Sequence, residues 1–309
     1  MTTPSNAMPE SSLDVQAIAP AATSATQPFL WSVRRELWEN RSIYIAPLAA
    51  AGVAMLGFFI GLFWLPHSVH ARAGMDPGEQ FLMEVMPYGH TGWLLLMTAF
   101  LVGVFYSLDA LYGERRDRSI LFWKSLPVSD LTTVLAKASI PLLALPVISF
   151  AVTLIVETIM LLLSSAVVAG SGFSVADFWN RLELYPTLWG LAYHLVTVHM
   201  LWYAPLYCWL FLVSAWSRRT PFLWAALPPF AVVIFEKIAF HTSYFLSFLN
   251  YRFSGGQEAT GTASPNMLDP DMHMTPGPFL ITPGLWLGLV FAAVFLLAAA
   301  RLRRKRSPL

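Results

Sequence analysis

YGERRDRSILFWKSLPVSD, residues 112–130, concentrates charge in a chain that is otherwise apolar. Seven of these nineteen residues are charged, whereas charged residues make up 12% of the whole sequence. The chain has 309 residues, of which 56% are hydrophobic, and this is too apolar for an ordinary soluble domain. The formal net charge is +1, so the charge balance gives no sign of a nucleic-acid partner.

Six stretches on either side of this segment are long and apolar enough to cross a bilayer, which takes about 20 residues of helix. They are 42–65, 91–108, 138–170, 184–217, 221–240 and 279–300. The bilayer core holds no water to bond to the backbone, so each stretch must be helical. The sequence therefore predicts an all-α polytopic membrane protein with six transmembrane helices.

Lysine and arginine are distributed unevenly between the segments that join these helices. Fifteen of the 19 lie on the side that holds both termini, the segment 109–137 and the short turn 217–221, and four lie on the other side. Because basic residues accumulate in cytoplasmic loops, both termini are predicted to be cytoplasmic. Segments 66–90 and 241–278 are then extracytoplasmic. The stretch 253–278 of the second is predicted to be irregular because it is rich in Gly, Pro and Ser.

The ends of the chain differ from the helical region. Residues 1–28 contain no basic residue and are predicted to form a disordered cytoplasmic tail. Residues 29–41 are predicted to form an amphipathic helix on the inner membrane surface. Its apolar face would hold Phe29, Leu30, Val33, Leu37 and Trp38, opposite to Arg35, Glu36 and Glu39. Residues 29–306 form one six-helix domain, followed by a tail at 307–309.

The mixed charge of residues 112–130 suits a protein contact better than a lipid surface, which attracts basic residues alone. Phe122 and Trp123 supply the aromatic anchors that such contacts use. Pro127 is expected to end one short helix, and Ser129 to cap the next, with Asp130 in its first turn. The alternative, a solvated charged loop that only fixes the topology, stays open on these grounds.

The segment resembles the cytoplasmic coupling loop of ATP-binding cassette (ABC) type-2 transporter permeases. In that family an acidic-basic cluster precedes a small hydroxyl residue, an apolar helix, a Ser-x-Pro-Val-Ser turn and a lysine that opens the third span. Here these are residues 114–117, Ser119, ILFW at 120–123, SLPVS at 125–129 and Lys137. Arg118 stands where a glycine is usual. The specific match covers about 26 residues, and the topology matches over 29–306.

The resemblance implies a permease domain at 29–306 in the bacterial cytoplasmic (inner) membrane. It implies no catalytic residue in this chain. Two permease copies, identical or different, would form an export pathway and dock on two cassette ATPase subunits, which bind the ATP and Mg²⁺. The residues it assigns to coupling are Glu114, Arg115, Arg116, Asp117, Ser119, Phe122, Trp123, Ser125, Pro127 and Ser129, with Arg218 and Arg219 in the second inner loop.

The chain itself is not expected to hydrolyse ATP or to bind a cofactor. SGGQ at 254–257 is similar to the signature motif of the ATPase subunits, but it falls in an extracytoplasmic segment. A phosphate-binding loop needs a Gly-Lys pair, and the sequence contains none. Met267, Met272, His273 and Met274 are soft-metal ligand types in the same segment, yet so irregular a loop predicts no metal site.

Three ionisable residues fall inside the predicted spans: Glu157, His194 and His199. They form either a polar patch in the substrate path or a structural bond between helices, and the sequence leaves both open. On an α-helix the two histidines would point about 140° apart, which is a poor geometry for chelation. Glu236 and Lys237 lie near the outer end of the fifth span and are expected to snorkel or pair.

Two other functions remain as alternatives. The first is a membrane-embedded enzyme, such as a protease or acyltransferase, that would use Glu157, His194 and His199. It lacks a recognisable nucleophile motif and leaves the charged segment unexplained. The second is an ABC-type maturation factor for an extracytoplasmic protein, for which the Met- and His-containing segment is the only hint.

Overall fold

The computed structural model describes residues 27–63, 77–125, 128–170, 172, 174–181, 184–254 and 276–305. Within these ranges the regular structure is helical and contains no strand. The long helical units are span one (Ser42–Leu62), span two (Pro77–Asp109), span three (Asp130–Gly170), span four (184–216), span five (Pro221–Phe240) and span six (Pro283–Lys305). The shorter helices are the entry helix (Gln27–Glu39), Tyr112–Arg116, Ile120–Lys124, Val175–Arg181, the return helix (Tyr244–Phe253) and Pro276–Ile281.

The predicted fold class is confirmed at the level of helices and their number. In the described part of the chain, five helices are long and apolar enough to cross a membrane, and bent span four makes a sixth. By length and composition the chain is an all-α polytopic membrane protein.

Several helices extend beyond the apolar stretches that predicted them. Span two begins at Pro77 rather than at 91 and continues through Pro87, so part of the predicted loop 66–90 is helical. Span three begins at Asp130, where the expected Ser129 cap puts it, eight residues before its apolar stretch starts at 138. Hydropathy marks only the apolar part of a helix, and polar first turns escape it. Residues 27–28 of the predicted tail 1–28 belong to the entry helix, and residues 1–26, the predicted tail 307–309 and the Met- and His-containing residues lie outside the described residues.

Spans three and four each contain a wide π-helical segment. In span three it covers Ile140–Ala144, and in span four it covers Leu195–Trp202. Span four then bends by 40° at Tyr203, whose N–H bonds to the carbonyl of Val198, five residues back. Pro141 and Pro205 explain these positions, because proline has no N–H to continue the regular helical ladder.

Spans four and six pack together along small side chains. Ala204 and Cys208 of span four are buried against Ala292 of span six, so Cys208 acts as a small packed hydrophobe. Span five lies at the periphery, where Ala225 is its one buried side chain among those described. The bundle within one chain is therefore asymmetric, with a tight centre and a largely uncovered fifth span.

The entry helix turns Glu36 toward the bundle, while part of its apolar face remains exposed. Glu36, expected opposite the apolar face, is buried in the bundle, whereas Leu30 and Trp38 are more than 60% exposed. Val33 and Leu37 pack against the core as apolar residues should. Glu36 has cationic partners inside the protein, so its burial does not leave the charge uncompensated.

Replacing Gly103 with alanine should destabilise the fold. A Cβ at Gly103 would lie 2.9 Å from Cε1 of Tyr207, a side chain that is fully enclosed and cannot withdraw easily. We expect Gly103→Ala to cost about 1–3 kcal/mol of unfolding free energy, measured in mixed micelles. Gly52→Ala is the matched control, since nothing lies within 4 Å of that position. Equal stabilities of the two variants would contradict the packing described here.

Candidate functional site

The charged segment folds into two short helices that follow span two. Tyr112–Arg116 and Ile120–Lys124 are separated by a bend at which Arg118 has a φ of 59°. This left-handed conformation favours glycine and costs other residues about 1–2 kcal/mol. The bend is thus present although arginine occupies the position at which the resembled family has glycine.

Most of the predicted local details of this segment are present. Ser129 caps the start of span three by accepting a hydrogen bond from the N–H of Thr132 at 3.0 Å, as predicted, and Asp130 lies in the first turn. The second short helix ends at Lys124, and the Ser125 hydroxyl donates to the carbonyl of Phe122. Pro127 lies outside the described residues. Ser119 donates a long hydrogen bond, 3.4 Å, to the carbonyl of Glu114.

Arg115 joins the first short helix to the end of span four. It is 2% exposed, and its Nη2 donates to the carbonyls of Ser214 at 2.8 Å and Ser217 at 2.5 Å. In return, the hydroxyl of Ser214 accepts from the backbone N–H groups of Leu111 and Tyr112. Arg218 and Arg219 follow directly in the tight turn to span five, and both are exposed. The two predicted inner segments are therefore in direct contact.

Glu114 lies at the centre of a buried group of charges. Its Oε2 accepts from Nε and Nη2 of Arg303 at 3.2 and 3.1 Å, and its Oε1 lies 3.3 Å from Nζ of Lys137. Lys137 also contacts Oε1 of Glu36 at 2.8 Å, and Arg303 bonds to Asp130. We call this group, completed by Arg35, the ionic cluster, and the end of the bundle that holds it the charged end.

The ionic cluster joins parts of the chain that are distant in sequence. Its members belong to the entry helix, the first short helix, span three and span six, and Tyr106 of span two donates to Oε2 of Glu36 at 2.8 Å. Three carboxylates (Glu36, Glu114, Asp130) face three cations (Arg35, Lys137, Arg303), so the cluster is neutral as a whole. Charges that are compensated in this way can remain buried.

The pKa of Glu36 shows how the cluster resolves these opposing effects. Burial on its own raises the pKa, but Lys137 and Arg35 stabilise the carboxylate and bring the pKa below its usual value. Glu36 is thus ionised at neutral pH. Because its folded-state pKa is lowered, its contribution to stability is fully present above the unfolded value near 4.5 and is lost as the pH falls through the folded value.

The opposite face of the two short helices is exposed. It carries Arg116, Asp117, Arg118, Leu121 and Phe122, which we call the exposed ridge. Arg116 and Asp117 pair with each other at 3.0 Å, and the hydrogen bond to Asp117 raises the pKa of Arg116. The aromatic pair divides: the ring of Phe122 is 61% exposed, whereas Trp123 is partly covered and stacks on the guanidinium of Arg35 at 3.6 Å.

Of the residues assigned to docking, Arg116, Asp117 and Phe122 therefore lie at the surface, and Glu114 and Arg115 lie inside the protein. A direct contact of Glu114 or Arg115 with a partner would require the short helices to leave the bundle. Their role, if the segment docks, is to position the exposed ridge. The sequence analysis did not identify Glu36 or Arg303 as members of the site. The signal that could have indicated them is the presence of charged residues at the polar ends of the predicted spans.

The intramembrane residues come together more closely than an α-helix would allow. The π-helical segment Leu195–Trp202 brings the rings of His194 and His199 to 5.7 Å, so the predicted angle of about 140° is wrong. The wider turn returns to the same face after about five residues. Both Nδ1 atoms are buried without a hydrogen-bond partner. No group of three or more metal-ligand side chains occurs in the part of the chain that the structure describes.

Glu157 of span three and His199 of span four lie against neighbouring turns of span two. A Cβ at Gly92 would lie 3.5 Å from Oε1 of Glu157, so the carboxylate lies against the backbone there. One turn further, the carbonyl of Leu96 contacts Nε2 of His199 at 3.3 Å. We call Glu157, His194 and His199 the polar patch. Among the described residues, no direct contact joins Glu157 to His194.

Comparison of the chain with protein-family models, with curated proteins and with solved structures finds no match.

Removing Lys137 should strongly destabilise the charged end. Lys137→Met leaves the carboxylates of Glu36 and Glu114 without the cation between them. Breaking a buried ion pair in this way costs about 3–5 kcal/mol. The unfolding free energy in mixed micelles measures the effect. Adding Glu36→Gln should restore part of the loss, because it removes one of the unpaired charges.

Lys305→Met is the control for that experiment, since Lys305 is an exposed lysine in the last turn of span six. An equal effect of the two lysine substitutions would show that the ionic cluster contributes nothing beyond net charge.

Proposed function

We propose that this chain is the permease subunit of an ABC transporter, an exporter, and that residues 109–137 couple it to a separate ATPase subunit. The observation that carries the proposal is the two-sided character of the short helices. Their inner face is joined by ion pairs and hydrogen bonds to the entry helix and to spans three, four and six. Their outer face presents an exposed ridge of mixed charge with one uncovered aromatic ring.

This arrangement suits the transmission of movement. A force applied to the exposed ridge passes through Glu114 to Lys137 and Arg303, and through Arg115 to Ser214 and Ser217. Each of these contacts lies at the end of a long helix. Because packed helices move as rigid bodies, displacement at their ends tilts the spans as units. A solvated loop without inward contacts would not have this effect.

The remaining parts of the proposal follow from the resemblance and from charge. The charged end would face the cytoplasm of a bacterium, with the entry helix at the inner membrane surface. Two permease copies would enclose the pathway, and two ATPase subunits would hold ATP and Mg²⁺. The uncovered apolar sides of spans one and five leave area for lipid or for the second copy.

The exposed ridge should bind the ATPase, and Phe122 should be its apolar anchor. We expect Phe122→Ala to reduce ATPase retention on the affinity-purified chain by roughly tenfold or more, because a buried aromatic anchor contributes at least about 2 kcal/mol to such contacts. Quantitative mass spectrometry of proteins that co-purify from native membranes measures the retention.

Phe63→Ala is the matched control, since Phe63 is 87% exposed and lies at the end of span one that is remote from the charged end. Failure of any cassette ATPase to co-purify with the native chain, together with activity of the chain alone, would favour the membrane-embedded enzyme instead. Co-purification with unchanged retention in Phe122→Ala would place the docking surface elsewhere.

The polar patch would line the pathway in this proposal. Its support is the burial of all three side chains, the position of Glu157 and His199 against residues 92–96 of span two, and two Nδ1 atoms that have no partner among the described residues. Polar groups in such positions commonly mark substrate or ion routes. The competing interpretation is structural packing between spans two, three and four, and accessibility to water distinguishes the two.

Single cysteines can test this accessibility once Cys208, the one cysteine of the chain, is replaced by serine. Glu157→Cys should react with a water-soluble thiosulfonate in at least one of two states, nucleotide-free or vanadate-trapped with the ATPase. Ile155→Cys is the control at nearly the same depth, because Ile155 is 61% exposed on the apolar surface. Equal and negligible labelling at both positions in both states would show that the patch is structural.

A further inference from the structure

A second buried charge lies far from the ionic cluster, on the return helix. Arg252 is 8% exposed, and its guanidinium carbon lies 4.4 Å from the ring centroid of Trp202. Its Nη1 donates to the carbonyl of Gly284 at 3.3 Å, and its own carbonyl accepts from Nε1 of Trp202 at 3.0 Å. Arg252 lies against Gly288 of span six, and Arg303 of the ionic cluster is 15 residues further along that span. Arg252 and the ionic cluster are therefore separated by ~22 Å of helix.

The return helix is fixed in place by a carboxylate from span five. Oε1 of Glu236 accepts from the Thr242 hydroxyl at 2.8 Å and from the N–H of Tyr244 at 2.6 Å, and Oε2 accepts from the N–H of Phe245 at 2.8 Å. Glu236 was expected to snorkel or to pair with Lys237, and instead it caps this helix. The cap ties the start of the return helix to span five, while Arg252 anchors its end.

The backbone of span six makes room for the guanidinium. A Cβ at Gly288 would lie 1.6 Å from Nη2 of Arg252, so no other residue fits at this position without moving the arginine. Trp202 covers one face of the guanidinium, and Gly284 and Gly288 lie along its edge. We call these four residues the arginine cradle.

The charge of Arg252 has no counter-ion among the described residues. No carboxylate there forms an ion pair with it, and one carbonyl is its only hydrogen-bond acceptor. Burial lowers the pKa of Arg252, and Tyr251 opposes this effect only in part. Most of the guanidinium's N–H donors therefore have no acceptor among the described residues, and planar guanidinium groups match phosphate oxygens well.

The surroundings of the cradle are apolar and face outward. Phe253, Ile281 and Trp286 are each more than half exposed; Phe253 follows Arg252, and the other two lie within three residues of Gly284. Exposed aromatic side chains at helix ends are typical of the level of lipid headgroups. An anion bound by Arg252 would therefore have apolar protein surface beside it.

We propose that the arginine cradle binds the phosphate group of a membrane phospholipid, whose acyl chains lie along the exposed apolar residues beside it. The bound lipid supplies the counter-ion that the described protein residues lack. It occupies the end of the bundle remote from the charged end, next to the bend of span four at Tyr203. This inference does not depend on the transport function.

Lipid binding to the purified full-length chain in a neutral detergent tests the proposal. Native mass spectrometry measures the retention of phosphatidylglycerol and of diacylglycerol with the same acyl chains. We expect the phospholipid to be retained and the diacylglycerol to be lost. An excess of inorganic phosphate should not displace the phospholipid, because phosphate alone lacks the contacts of the acyl chains. Arg252→Gln should weaken phospholipid binding roughly tenfold, the loss expected for one charge-assisted contact.

Two further variants protect the test against misfolding. Gly288→Ala keeps the arginine but displaces it from the cradle, and it should lower phospholipid binding to a similar extent. Arg252→Lys keeps the charge, and its affinity for the phospholipid should lie between the affinities of the wild type and of Arg252→Gln. Lys237→Gln is the control, because Lys237 is an exposed cation near the same end of the bundle.

Three results would overturn the proposal. Equal phospholipid retention in the wild type, Arg252→Gln and Gly288→Ala, with lowered thermal stability in the variants, would make Arg252 a structural anchor only. Diacylglycerol retention equal to that of phosphatidylglycerol would remove the role of the phosphate. Full competition by inorganic phosphate would assign the site to a free anion instead of a lipid.

Discussion

The contact between the Glu114 carboxylate and its two cations, Arg303 and Lys137, determines how the charged end of the bundle is built. It places the first short helix between spans three and six, and the entry helix closes over it through Glu36. The concentration of charge in residues 112–130 then has two causes. Some of these charges are buried and paired with groups of the protein instead of water, and the others remain at the surface. Only the second group is available to a partner.

An ionic cluster of this kind fixes geometry more than it adds stability. Desolvation of its charges is costly, and apolar side chains of similar volume would often give the folded protein equal stability. They would, however, allow sliding, whereas Glu114 accepts both nitrogen donors of one edge of Arg303 in a single orientation. Because the partners come from four separate elements, a shift of one element disturbs the contacts of the others. That property favours movement as a unit over independent fluctuation of the short helices.

The sequence was sufficient for what depends on local pattern. Apolar length predicted the crossings, and the hydroxyl and carboxylate of Ser129 and Asp130 predicted the start of span three. The pairing of Glu36 with Lys137, or of Glu114 with Arg303, could not be predicted, because these partners are 101 and 189 residues apart and no local period relates them. For the same reason the sequence did not predict that Glu36 faces inward on the entry helix. Its apolar arc was correct in sequence, but the cations that draw Glu36 inward come from elsewhere. The π-helical segment was missed because an α-helical period was assumed throughout span four.

Span four connects the three regions that carry the proposals. Its last turn receives Arg115 through Ser214 and Ser217, its π-helical segment holds His194 and His199, and the end of that segment places Trp202 against Arg252. The bend at Tyr203 lies between the first region and the other two. A helix interrupted by a π-helical turn and a proline lacks part of its hydrogen-bond ladder, so bending there requires less distortion than elsewhere in the span. Tilting of the segment 204–216 from the charged end would therefore be taken up at Tyr203, directly beside the polar patch and the arginine cradle. On this argument, the irregular middle of span four is the place at which movement of the short helices would reach the membrane interior.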